Sequence, residues 1–124
     1  MFKTLLIIGS GSFIGGIARY VLGKLAQEQA GIDFPLGTLL VNITGCFLIG
    51  IIYGLSDKEL VNPDWRFFLA TGVCGGYTTF SSFSYESIAL LREGETAPFF
   101  LYVGVSMVFG LIATWLGIIV TKAF

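Results

Sequence analysis

Apolar residues along this chain fall into four long runs, interrupted only by glycines, hydroxyl residues and single charges, while most polar residues collect between them. A helix that crosses the hydrocarbon core of a bilayer needs about 20 mostly apolar residues. The runs at about 3–26, 34–55, 65–91 and 98–121 meet that length. The connections at 27–33, 56–64 and 92–95 are short enough to join antiparallel neighbours. This pattern predicts one all-α domain over 1–124 with four transmembrane helices and both termini on one side. The first run follows Met1-Phe2-Lys3 and has the outline of a secretory leader. It carries Arg19 in its later half and is followed by three comparable runs, so we read it as a retained first span.

Composition agrees with a lipid environment. The chain is 55% hydrophobic and 12% charged, with a mean hydropathy of +0.85. Soluble domains carry about 25% charged residues, so the excess apolar surface must face lipid. The net charge of −1, without a basic run, excludes a nucleic-acid partner. Histidine is absent, which removes His-based acid–base catalysis, the usual nucleophile pairs and most zinc sites. The chain is therefore not expected to be an enzyme. Cys46 and Cys74 lie in apolar stretches and read as small packing residues rather than a disulfide.

Orientation is weakly encoded. Lys3, Lys58, Arg66 and Lys122 fall on the side of the termini, and Lys24, Arg92 and the nearby Arg19 on the other. Lys/Arg imbalance sets insertion, and so even a distribution predicts insertion in both directions.

Several spans carry features beyond simple apolarity. In the first, Gly11, Gly15, Arg19 and Gly23 recur at steps of four, placing a glycine groove and one guanidinium on one helix face. Close helix packing explains the glycines. Arg19 either snorkels to the interface or supplies a positive field to a vestibule. In the second span Thr38, Asn42 and Gly45 share a face, and an amide at that depth needs hydrogen-bond partners. In the fourth, Tyr102, Ser106, Gly110 and Thr114 form a polar or small stripe.

The third span is the most informative. Gly75-Gly76 is followed by Tyr77-Thr78-Thr79-Phe80-Ser81-Ser82-Phe83-Ser84. Paired glycines weaken a helix, and hydroxyls compete for backbone groups, so a break at mid-membrane is predicted. Non-helical backbone survives there only against protein or a water-filled cavity, and broken helices are where membrane proteins place ions. Phe80 and Phe83 project to a similar side, and a ring edge is positive.

At these residues the chain strongly resembles the Fluc (CrcB) family of microbial fluoride channels. Gly15-Gly16-Ile17-Ala18-Arg19-Tyr20 is similar to its first-helix motif, Gly37 to Asn42 to its second, and Gly72 to Phe83 to its third. The resemblance implies antiparallel, dual-topology homodimers with two pores in the bacterial inner membrane, passing fluoride down its electrochemical gradient. It implies a central structural sodium ion on the backbone carbonyls of Gly75 and Thr78 from both subunits. It implies that Asn42, Phe80 and Phe83 line each fluoride path, with Thr38, Thr79, Ser82, Tyr102 and Ser106 as polar contributors and Arg19 at a vestibule. Gly110 stands where some members have serine.

Two rivals follow from the residues. A proton-coupled exporter of the small multidrug type needs a membrane carboxylate, and Glu86 is the candidate. A non-conducting assembly subunit would account for the small-residue stripes but not for the broken third helix.

Overall fold

The computed structural model describes residues 1–123, and its regular structure is helical throughout. Helix α1 spans Phe2–Ala30 and ends where Gly31 adopts a left-handed φ of 61° and donates its N–H to the Gln27 carbonyl. Helix α2 spans Leu36–Asp57 and begins after Pro35, whose missing N–H costs nothing at a helix start. Helix α3 is composite: an α-turn at Pro63–Arg66, a π-helical stretch at Phe67–Cys74 and a last turn at Gly75–Tyr77. Asn62 caps its start, accepting the Trp65 N–H at 2.9 Å. Helix α4 spans Phe80–Arg92 and α5 spans Thr96–Thr121.

Three helices, α1, α2 and α5, are long and apolar enough to cross a membrane. Neither α3 nor α4 is, since each extends only roughly 20 Å at the helical rise per residue. The surface carries Phe13, Ile17, Leu101, Leu111 and Trp115 exposed, an arrangement suited to lipid or to another apolar surface rather than to water. The chain is a multi-pass membrane protein with a bent helix among its apolar spans.

Close backbone approach holds the helices together. A methyl group on Gly15 would collide with the Val73 carbonyl, and one on Gly72 would lie 2.9 Å from the Gly11 Cα, so α1 and the π-helical stretch meet backbone to backbone. Helix α2 packs along α5 in the same way, with Gly50 against the Thr114 carbonyl and Gly117 against the Phe47 carbonyl. Without a hydrophobic drive between helices in lipid, such contact supplies the packing energy. Leu39, Leu90 and Tyr102 form the buried cluster, with Phe34, Phe83 and Phe99 against it.

The helix break is shorter than the sequence predicts. Only Thr78 (φ −87°, ψ 155°) and Thr79 (φ −147°, ψ 115°) are extended. Gly75 and Gly76 remain helical. Gly76 serves close approach instead, since a Cβ there would lie 2.6 Å from the Ser12 carbonyl oxygen. Ser81, Ser82 and Ser84 also stay helical, because Thr79 caps α4 by accepting the Ser82 N–H at 3.1 Å. The π-helical stretch carries no signal in residue type, and it contains Gly72, which lies close against α1. The first span also runs past its expected end at about 26, because Gln27 binds the following turn.

Candidate functional site

The break is held by one side chain. Asn42 on α2 donates from Nδ2 to the Thr79 carbonyl at 3.0 Å and accepts the Thr79 N–H on Oδ1 at 2.8 Å. The amide thus stands in for a paired strand and satisfies both backbone groups of an extended residue. An amide nitrogen has two hydrogens, and only one of them is used in donating to the Thr79 carbonyl.

A cavity of about 300 Å3 opens beside this pair, lined by Asn42, Thr78, Thr79, Phe80, Phe83, Ser106 and apolar neighbours that include Cys46 and Met107. No charged residue lines it. Phe80 and Phe83 face one another with ring centroids 5.7 Å apart. Phe83 also packs on Tyr102 at 5.2 Å, whereas Phe80 is 77% exposed and is free to meet lipid or another chain.

A second cavity, of about 220 Å3, is lined by Arg19, Tyr20, Lys24, Gln27, Thr38, Thr79 and Glu86, among others. Thr79 borders both cavities. Gln27 holds the outer rim, donating to the carbonyls of Ile32 and Phe34 at 2.8 and 2.9 Å and accepting the Gly37 N–H at 2.9 Å. Two cations at one mouth raise the local anion concentration. A carboxylate stands with them: Glu86 accepts from Thr38 Oγ1 at 3.0 Å and from the Tyr102 hydroxyl at 3.3 Å.

The residues singled out in the sequence do not all share one cavity. Asn42, Thr79, Phe80, Phe83 and Ser106 share the uncharged cavity. Arg19 and Thr38 belong to the charged one. Ser82 lies elsewhere, in an open recess with Thr38, Ser81, Tyr85 and Glu86, and Tyr102 is fully buried behind Glu86. Sequence reasoning missed Lys24 and Gln27 as cavity walls, and it placed Glu86 either at the aqueous mouth of the third span or as the proton carrier of the exporter reading. Their signal was positional: Gln27 lies one helical step of four beyond Gly23, and Glu86 three beyond Phe83.

The backbone at the break suits a hard cation. Gly75 is exposed, and a Cβ there would meet only the Ala70 carbonyl oxygen at 3.8 Å. No hydrogen bond reaches the Gly75 or Thr78 carbonyl among the described residues. Free carbonyl oxygens are ligands for ions such as sodium rather than for transition metals. Among the described residues no group of three His, Cys, Asp or Glu side chains gathers to offer another metal site.

A family model described as CrcB-like protein, Camphor Resistance (CrcB), matches residues 6–118. Among curated proteins, one from Aquifex aeolicus is 49% identical over 117 residues, 94% of each chain. One from Chlorobium phaeobacteroides is 46% identical over 98% of this chain and 94% of its own. One from Flavobacterium psychrophilum is 43% identical over 97% of this chain and 98% of its own. All three are named fluoride-specific ion channel FluC. With that match running through all three motifs, the chain belongs to the CrcB-like family.

Proposed function

We propose that this chain is the subunit of a passive, fluoride-selective channel that exports the anion across the bacterial inner membrane. In this reading α3 and α4 together make the third of four crossings. Two copies assemble antiparallel, from a chain that inserts in both directions, and give two pores with one sodium ion between them on the carbonyls of Gly75 and Thr78. When bound, the cation supplies a central positive field that favours anions.

The observation that carries the reading is the uncharged cavity on which Asn42, Thr79, Phe80, Phe83 and Ser106 converge. Fluoride is small and tightly hydrated, so a path must replace its water by hydrogen-bond donors without trapping it. The spare Asn42 N–H, the Ser106 hydroxyl and the phenyl ring edges offer donors of moderate strength. Arg19 and Lys24 stay outside, where they attract the anion without binding it in the path. The names of the relatives point to the same ion. The inside-negative potential drives the anion outward by about 2.3 kcal/mol per 100 mV, so no coupled proton is required of Glu86. Expression of the chain in cells stripped of their own fluoride export tests the reading: restored growth in fluoride supports it, and unchanged sensitivity with the protein in the membrane contradicts it.

A further inference from the structure

We infer that Asn42 and Thr79 are the positioning residues that free the Gly75 and Thr78 carbonyls for the central cation. One asparagine thus serves the anion path through its amide hydrogen and the cation site through its amide oxygen. This rests on the sodium reading given above.

In an uninterrupted helix the Gly75 carbonyl would accept the N–H of Thr79, and the Thr78 carbonyl that of Ser82. Both donors are diverted. The Thr79 N–H goes to Asn42 Oδ1 at 2.8 Å, and the Ser82 N–H goes to Thr79 Oγ1 at 3.1 Å. Thr78 offers no substitute, because its own N–H and hydroxyl both donate to the Cys74 carbonyl at 3.0 Å. The two carbonyls are thereby left with unused acceptor capacity, and a backbone carbonyl inside a membrane protein requires a partner. The captures come from different elements: Asn42 reaches in from α2, and Thr79 acts from the break itself. Losing either would favour rewinding of Thr78 and Thr79 from their extended conformation into a helix, whose hydrogen bonds would occupy the carbonyls where the cation should bind.

The test is a sodium titration of the thermal unfolding midpoint of the purified full-length protein in detergent, with N-methyl-D-glucamine holding ionic strength. A ligand that binds only the folded state raises the midpoint once its concentration passes Kd. Wild type is expected to show that rise. Thr79→Val removes the acceptor at nearly constant shape and should move the rise to about tenfold higher sodium, the equivalent of roughly one net hydrogen bond to be broken. Thr79→Ser should restore it. Asn42→Asp keeps an oxygen acceptor and should bind sodium no more weakly than wild type, whereas Asn42→Ala should shift like Thr79→Val. A merely structural cap would lower the midpoint equally at every sodium concentration, and an unchanged sodium dependence in Thr79→Val overturns the inference. If Thr79→Val does not fold, equal sodium dependence in Asn42→Asp and Asn42→Ala overturns it instead. No sodium effect in wild type overturns the cation reading itself, and the inference with it.

Discussion

The hydroxyl of Thr38 donates to the carboxylate of Glu86 across 3.0 Å, and this pair borders both the cavity of Arg19 and Lys24 and the recess of Ser81, Ser82 and Tyr85. A carboxylate so placed either carries protons or shapes the mouth of an anion path. The two roles differ in what the amide isostere does. In Glu86→Gln the side-chain oxygen still accepts one of the two hydrogen bonds now made by Thr38 and Tyr102. Fluoride flux should therefore stay within about tenfold of wild type, the change expected for one lost hydrogen bond. Abolished flux in Glu86→Gln, with coupled proton movement in wild type, would favour the exporter.

Asn42→Asp should block fluoride flux. It replaces the spare amide N–H by a fixed negative charge at the wall of the uncharged cavity and also removes the donor to the Thr79 carbonyl. Fluoride-electrode efflux from vesicles containing the variant checks this. Unchanged conductance in a folded protein would remove Asn42 from the path.

The two phenylalanines should separate function from stability. Phe80 is 77% exposed and makes one ring contact, to Phe83, so Phe80→Ile should lower flux at least tenfold through loss of the ring edge while lowering the unfolding temperature less than Phe83→Ile does. Phe83 touches Tyr102 as well as Phe80. Phe83→Ile should therefore lower flux and also cost about 1 kcal/mol of stability, in line with a lost aromatic pair. Thermal melts alongside efflux distinguish the two.

Gly15→Ala should be severely destabilising, by about 1–3 kcal/mol as for other overpacked sites. The added methyl would run into the Val73 carbonyl, which is backbone and cannot rotate away. Gly9→Ala is the control, because no atom lies within 4 Å of a Cβ there. Comparable loss in both variants, read by thermal unfolding in detergent, would contradict the packing account.

How much of this was legible in the sequence depends on the kind of signal. The apolar runs marked α1, α2 and α5, because span length is a property of composition alone. The glycines at 11 and 15 hinted at close approach, but not which helix each would meet. The break was legible in kind and displaced in position. Paired glycines and a hydroxyl run look alike to a local propensity, yet Gly76 is consumed by contact with Ser12 and only Thr78 and Thr79 leave the helix. The deciding partner, Asn42, lies 37 residues away from Thr79, and no local reading connects them. Lys24 and Gln27 carried only a positional signal, since a surface-type residue near a span end becomes a cavity wall only once α1 and α2 are set side by side.

The most direct measurement is anion efflux from liposomes holding the purified protein, followed with fluoride and chloride electrodes in parallel after valinomycin is added to a potassium gradient. Rapid fluoride loss that requires valinomycin, with little chloride loss, is the predicted result, because an uncoupled channel moves net charge. Absent fluoride flux from folded protein, or fluoride loss that proceeds equally without valinomycin, would contradict the channel.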